Sequence, residues 1–301
     1  MGMQGLNSNQ LLEHWREMRQ LIDDAIERWL KELPEAKAID AARYIAMGGK
    51  RLRGFLVLEV ARSLGARVED GLDAAVAVEL VHAASLALDD IIDEDITRRG
   101  AEAAWVKYGL KKTVMVSNLL IPFAQRIVAE RYGEEALRRT VQAWLDISRG
   151  EVLDAFTSPE ELHPDSYIEM IRLKTGALFR LAAELGVIAA GRYSLIDIAS
   201  KYGETIGIMY QIADDLRDSN DKEKVRSEPS LQLFLRWLNG SGVNKAYTMI
   251  KTLLSKAIDF SIKITGNLHD SYLSHLPGFI VNAMLGWVPQ VVTRGTTPDT
   301  S

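Results

Sequence analysis

The sequence predicts an all-α protein, and three observations predict it. Apolar residues recur at spacings of three and four over long intervals. Only eight prolines interrupt the 301 residues. Ala and Leu, both strong helix formers, dominate from Ala41 to Ala87 and from Glu134 to Ala190, and alternating β-type runs are hard to find. The expectation is ten to twelve helices and no sheet, in one domain over residues 1–288 with a flexible tail at 289–301.

The first helix is predicted over 9–32, where Leu11, Leu12, Trp15, Met18, Ile22, Ala25, Ile26 and Trp29 form one apolar stripe after a capping Ser8 or Asn9. Shorter segments follow at 37–47 and 51–65. The run 70–95 is almost wholly apolar from Ala74 to Leu88, where only Glu79, His82 and Ser85 are polar, so this helix is expected to be buried. Helices are then expected at 102–108, 111–130, 133–157, 164–190, 194–219, 230–238, 242–265 and 268–285. Ser219 to Pro229 and Asn239 to Gly242 are the clearest loops. The tail, rich in Thr, Pro and Gly, is expected to fray.

Composition narrows the function. Hydrophobic residues make up 47% and charged residues 26%, the balance of a soluble globular chain. With no cysteine, a disulfide framework, a thiol nucleophile, an iron–sulfur cluster and a thiolate zinc site are all excluded. A net charge of -5 argues against a nucleic-acid partner. The polar start from Met1 to Gln10 does not resemble a secretory leader, and no apolar run is long enough for a membrane span. A cytoplasmic location is the expectation.

The sharpest motif is Asp89-Asp90-Ile91-Ile92-Asp93. On a helix these three carboxylates share a neighbourhood, and each pair at about 6 Å costs roughly 3 kcal/mol at an effective dielectric near 20. Charge runs are usually solvated faces, but this one closes a buried helix, where oxygen ligands suit Mg²⁺ and phosphate oxygens. A second copy, Asp214-Asp215-Leu216-Arg217-Asp218, stands 125 residues later and also ends an apolar helix. Facing one another, the two would bracket divalent ions. Gly48-Gly49-Lys50-Arg51-Leu52-Arg53 places three cations at a helix start, a second anion site that lacks the P-loop pattern. Lys174-Thr175-Gly176 lies on an apolar helix, and Gln211 lies three residues before the second acidic motif. Alone, the lysine reads as a snorkelling side chain and the glutamine as a satisfied core amide.

GGKRLR, DDIIDEDITRRG, KTGALF and YQIADDLRD, in this order and spacing, resemble the trans-polyprenyl diphosphate synthases. The resemblance runs from about Ile39 to Asp218 and more loosely to Asn282. The stretches 84–93, 98–109 and 119–128 look most like the archaeal long-chain, hexaprenyl-type members.

This resemblance implies an isoprenoid-synthase bundle around a deep central apolar cavity. It implies a Mg²⁺-dependent condensation of isopentenyl diphosphate with an allylic prenyl diphosphate. Asp89, Asp90, Asp93, Asp214, Asp215 and Asp218 would hold two to three Mg²⁺ ions, and Arg98 would contact the allylic diphosphate. Lys50, Arg53, His82 and Arg99 would bind isopentenyl diphosphate, and Lys174, Thr175 and Gln211 would sit beside the leaving group and the carbocation. A homodimer and transient membrane contact are also implied. The chain departs from the family pattern at Gly54, where proline is frequent, at Leu88, at Asn118, and in 219–229, which lacks the usual Gly-Lys element. Lys222 and Lys224 stand nearby as substitutes.

Ala84, Ser85 and Val81 would meet a growing prenyl tail one and two turns above Asp89. All are small and no aromatic residue occurs between Phe55 and Trp105, so two to three turns of helix stand open and a product of about C20 or longer, C25 to C30, is expected. A geranylgeranyl diphosphate synthase, or a weakly active subunit of a heteromeric synthase, is the alternative. A terpene cyclase would not need the basic GGKRLR turn.

Overall fold

In this computed structural model the described residues are 8–157, 161–240, 242–266 and 272–285. Their regular elements are helices apart from one short hairpin. The expected tail at 289–301 lies outside them.

Helix α1 (Ser8–Leu30) buries the predicted stripe, with Ile22, Ala25, Ile26 and Leu30 all inaccessible. After α2 (Ile39–Ala46) come α3 (Leu52–Ser63) and α4 (Val68–Ile92). Every residue from Leu52 to Ala61 is buried, as is the run Ala74–Leu80. A helix apolar on all sides can only be stable when other helices surround it. Accordingly α4 packs on α3 and on α6 (Leu110–Phe156), and α3 packs on α8 (Ala177–Ala189). Around these lie α9 (Ile196–Asp218), α12 (Val243–Thr265) and α13 (Tyr272–Leu285). No helix among the described residues is long and apolar enough to cross a membrane.

Four local features differ from expectation. Thr97–Arg98 and Ala101–Glu102 pair as an antiparallel ladder. Its two-residue turn has positive φ at both Arg99 and Gly100, as a type I′ hairpin requires, and the strands are too short to show alternation. The hairpin leads through Ala103 into α5 (Ala104–Tyr108). The two helices expected at 111–130 and 133–157 run on as one, bent at Gly133, where φ is 79°. The helix expected over 164–190 is α7 (Ser166–Ile171), a π-turn over Arg172–Gly176, and α8. The loop expected at 219–229 contains α10 (Lys222–Ser227), capped by Asp221, whose carboxylate accepts from the Glu223 and Lys224 N–H groups. Helix α11 (Pro229–Leu238) follows it.

Two glycines let α9 meet α8 and the π-turn. A Cβ on Gly203 would lie 2.2 Å from the Phe179 carbonyl oxygen, and one on Gly207 would lie 2.7 Å from Gly176 Cα. The close crossing sets Thr175 beside Gln211. Beneath the end of α9, Tyr167, Phe234 and Trp237 form an aromatic cluster with Met209 and Ile212 that supports the second acidic motif.

Candidate active site

Both acidic motifs sit at helix C-termini, where the backbone dipole is negative and carboxylates are least welcome. The last turn of α4 carries no basic residue. Such an arrangement calls for cations from elsewhere. In the first motif, Asp89 and Asp93 face α6 and the π-turn. Burial, and then the neighbouring Glu151 charge, push the Asp89 carboxyl up to about 7. Asp93 is raised by burial, with Asp154 and Asp95 adding to it and Lys174 opposing. Lys174 itself projects from the π-turn, 2.9 Å from Glu151 and 2.6 Å from Asp154. Its pKa is raised, because Glu151, Asp154 and Asp89 together outweigh the cost of burial. Irregular turns of this kind are frequent at functional sites.

Asp90 points elsewhere. It is 2% exposed and accepts from Arg98 Nε at 2.5 Å. The pair lines a cavity of about 780 Å³ between α2, α4, α5 and the hairpin, together with Gly48, Gly49 and Arg99. Thus three residues expected to act as one metal-binding set divide into Asp89 with Asp93 on one side and Asp90 with Arg98 on the other.

The second motif is held more tightly. Asp215 accepts from the Tyr167 hydroxyl at 2.5 Å and from Gln211 Nε2 at 2.9 Å, and Gln211 Oε1 in turn accepts from Thr175 at 2.7 Å. Burial nevertheless pushes its carboxyl up to about 7. Burial also raises Asp218, but bonds from Arg217 at 2.7 Å and Lys224 at 2.5 Å outweigh it and leave this carboxyl below its usual range. Asp214 Oδ1 is buried and pairs with Arg217 at 2.5 Å. Burial raises the carboxyl of Glu228, at the start of α11, with the charges of Asp218, Asp93 and Asp95 adding to it and Lys224 opposing.

The basic turn has positive φ at Gly48, Gly49 and Arg51, a conformation free for the glycines and strained only at Arg51. Lys50 Nζ donates to the Ala283 carbonyl at 2.9 Å, and burial and then Arg217 lower its pKa. Arg53 lies over the Phe179 ring at 4.6 Å and donates to His82 Nε2 at 3.0 Å. Burial and the surrounding arginines hold His82 well below its ordinary pKa, so it is neutral and accepts that bond. Arg53 Nε is buried with no partner. Arg99 folds over Gly48 and Gly49, so close that a Cβ on Gly49 would lie 3.1 Å from its guanidinium, and donates to the Met47 carbonyl. The third cation of the turn, Arg51, is turned inward. Among the tail-length candidates, Ala84 and Val81 are fully packed and Ser85 is 9% exposed; none lines the 780 Å³ cavity.

Glu151, Asp154, Tyr167, Arg217 and Glu228 were not anticipated. Glu151 and Asp154 had a visible signal: an acidic pair at i, i+3 near the end of a helix, as in the two motifs themselves. No three acidic or histidine donors among the described residues already converge in a metal-binding arrangement. Lysine and arginine side chains engage the carboxylates instead. The donor set still fits a divalent cation: hard oxygens, several raised by burial and mutual repulsion, at two negative helix ends.

These raised groups make a stability prediction for the metal-free protein. Asp89 and Asp215 titrate near 7 when folded and near 4 when unfolded, so the folded state binds more protons across that window. Their contribution is therefore most favourable at low pH and is lost as pH rises through 7. Melting curves in chelator should fall from pH 5 to pH 8, and fall less steeply in Asp215→Asn; equal slopes would contradict the assignment.

A family model described as polyprenyl synthetase matches residues 35–230. The chain belongs to that family. It is an enzyme of the prenyltransferase class. A hexaprenyl pyrophosphate synthase from Saccharolobus solfataricus is 35% identical over 282 residues, covering 91% of this chain and 96% of that one. A geranylfarnesyl diphosphate synthase from Aeropyrum pernix is 34% identical over 221 residues, covering 69% and 70%. The solved geranylgeranyl pyrophosphate synthetase from Geoglobus acetivorans superposes with a TM-score of 0.78 at 25% identity, covering 88% of this chain and 98% of that one. The family uses isopentenyl and allylic diphosphates and generally depends on a divalent metal.

Proposed function

We propose that this polyprenyl synthetase condenses isopentenyl diphosphate with an allylic prenyl diphosphate, using Mg²⁺, to make a product of C20 or longer, C25 to C30 by our reading. The observation that carries the proposal is that two carboxylate motifs, Asp89 to Asp93 and Asp214 to Asp218, each close a largely buried helix, α4 and α9. Asp89, Asp93, Asp214, Asp215 and Asp218 would hold two to three ions. Those ions supply charge neutralisation for the diphosphate leaving group. Asp90 serves by fixing Arg98.

In the reaction the allylic C–O bond breaks, leaving diphosphate and an allylic cation. The isopentenyl double bond attacks that cation, and a proton is lost to the released diphosphate. Lys174, held by Glu151 and Asp154, lies beside the developing negative charge. Thr175, which donates to Gln211, and Gln211, which donates to Asp215, fix the polar edge along which the cation forms. Lys50, Arg53 and Arg99, with neutral His82, would receive the second diphosphate; the unpartnered Arg53 Nε is the free donor there. The buried apolar helices beyond Asp89 exclude water from the cation. Mixing the protein with Mg²⁺, an allylic primer and labelled isopentenyl diphosphate tests this reading.

Product length is read along α4. Ser85→Phe, at the least tightly packed of the three positions, should shorten the product by at least one isoprene unit while turnover continues. Ala84→Phe meets a fully packed site and should also cost about 1–3 kcal/mol of stability. Chromatography of dephosphorylated products reads the length, and an unchanged distribution in Ser85→Phe would contradict the ruler.

We take residues 1–288 as one domain, the assembly as a homodimer and the location as cytoplasmic. Exposed Met115, Val141 and Leu145 on α6 supply apolar contacts for the dimer. Sedimentation equilibrium should give twice the chain mass, and Met115→Glu with Leu145→Glu should give monomers.

A further inference from the structure

Arg51 is the residue of the basic turn that no substrate role explains. Its side chain is 1% exposed, yet its backbone takes a left-handed φ of 53°, which a non-glycine residue adopts only where its surroundings enforce it. Three bonds do so. Arg51 Nε donates to Asp23 on α1 at 2.7 Å, its NH2 donates to the Ala46 carbonyl at the end of α2 at 2.7 Å, and its NH1 lies 3.5 Å from Glu79 Oε2 on α4.

Glu79 is 3% exposed, and its second oxygen does a separate job. Oε1 accepts from the Gly54 N–H at 2.8 Å. That N–H belongs to the first turn of α3, which has no side-chain cap of its own, so Glu79 caps α3 from a neighbouring helix. This explains Gly54. A proline there would lack the N–H, and even a Cβ would lie 3.0 Å from Ile22 and 3.1 Å from Glu79 Cγ. Helix α1 grips the turn a second time, since Trp15 Nε1 donates to the Lys50 carbonyl at 2.9 Å. Glu79 also stands one turn before His82 on α4, and His82 is the partner of Arg53.

We propose that Glu79, acting through Arg51, Asp23 and the Gly54 N–H, is the positioning residue of the isopentenyl diphosphate site. It locks the start of α3 against α4 so that Lys50, Arg53 and His82 converge on one anion. The inference rests on the function proposed above. It makes a sign prediction that a purely electrostatic role does not share. Glu79→Gln removes a negative charge beside three arginines, which by charge alone would tighten binding of a diphosphate. A positioning role requires the opposite, because small displacements of oriented ligand groups are costly.

The experiment is calorimetric titration of the full-length protein in Mg²⁺ with isopentenyl diphosphate, and separately with geranylgeranyl diphosphate. Glu79→Gln should bind isopentenyl diphosphate about tenfold more weakly and geranylgeranyl diphosphate within about twofold of the parent. Glu59→Gln is the control, a fully buried acid of α3 paired with His14 and Arg62 outside the site. It should lose stability without losing affinity. If Glu79→Gln does not fold, Asp23→Asn, whose carboxylate is 18% exposed, carries the same criteria. Unchanged or tighter isopentenyl diphosphate binding in the variant, or equal loss for both ligands, overturns the positioning role while the function stands. Failure of the parent protein to bind isopentenyl diphosphate overturns both.

Discussion

Asp89→Ala should lower kcat/KM for the condensation by about 10³- to 10⁵-fold, equivalent to about 4–7 kcal/mol of transition-state stabilisation. The size follows from position. Asp89 ends a buried helix whose last turn has no basic residue, and its carboxyl is pushed up to about 7 by burial and by Glu151. A carboxylate kept in that state against its own preference gains most when a divalent cation arrives, and the cation matters most when diphosphate departs. Fold stability should move the other way. Removing a carboxyl that repels Glu151 and Asp93 should raise the melting temperature of the metal-free protein at pH 8. Kinetics at saturating Mg²⁺, with melting curves in chelator, check both signs. A near-parental rate would remove Asp89 from the metal site. Asp90→Ala should behave differently, since its partner is Arg98: KM for the allylic substrate should rise more than kcat falls.

Lys174→Ala should be the most damaging change outside the carboxylates. The lysine is the shared counter-charge of Glu151, Asp154 and Asp89, and its loss leaves three partly buried anions facing one another. Breaking a fully buried ion pair from one side costs about 3–5 kcal/mol, and some solvent access here reduces that to about 2–3 kcal/mol. Activity should fall by about 10²- to 10³-fold. The stability deficit should shrink when Mg²⁺ is added, because the freed carboxylates become ligands. Paired melting curves with and without Mg²⁺ read this directly. A deficit indifferent to metal would separate Lys174 from the metal site.

Much of this architecture is written in residue spacing. Apolar periodicity placed the helices to within a few residues, and the all-round apolar run Ala74–Leu88 marked α4 as central. The order of four motifs predicted the family. What escaped was whatever depends on direction rather than position. Asp90 is adjacent to Asp89, yet a helix turns about 100° per residue, enough to send it to Arg98 and the cavity lined by Gly48 and Gly49. The hairpin of Arg98 and Arg99 was hidden because two-residue strands carry no alternation and because an arginine, not a glycine, takes the first left-handed turn position. The π-turn that aims Lys174 and Thr175 has no compositional mark; it follows from the backbone approach at Gly207. Helix α10 looked like a loop because its six residues are nearly all polar and only the Asp221 cap announces it.

The departure at 219–229 has a structural counterpart. Lys224 returns from α10 to Asp218 at 2.5 Å, and Arg217 bridges Asp214 and Asp218. The second acidic motif is therefore ringed by cations from its own helix and the next one. In the proposed site these cations would give the diphosphate a positive rim without the usual Gly-Lys element.

The most direct measurement is product analysis of the purified chain alone, incubated with Mg²⁺, labelled isopentenyl diphosphate and a series of allylic primers. Linear all-trans polyprenyl diphosphates of C25 to C30 are expected, lost on chelation and restored by Mg²⁺. No incorporation with any primer, or a cyclic hydrocarbon formed from the allylic substrate alone, would contradict it.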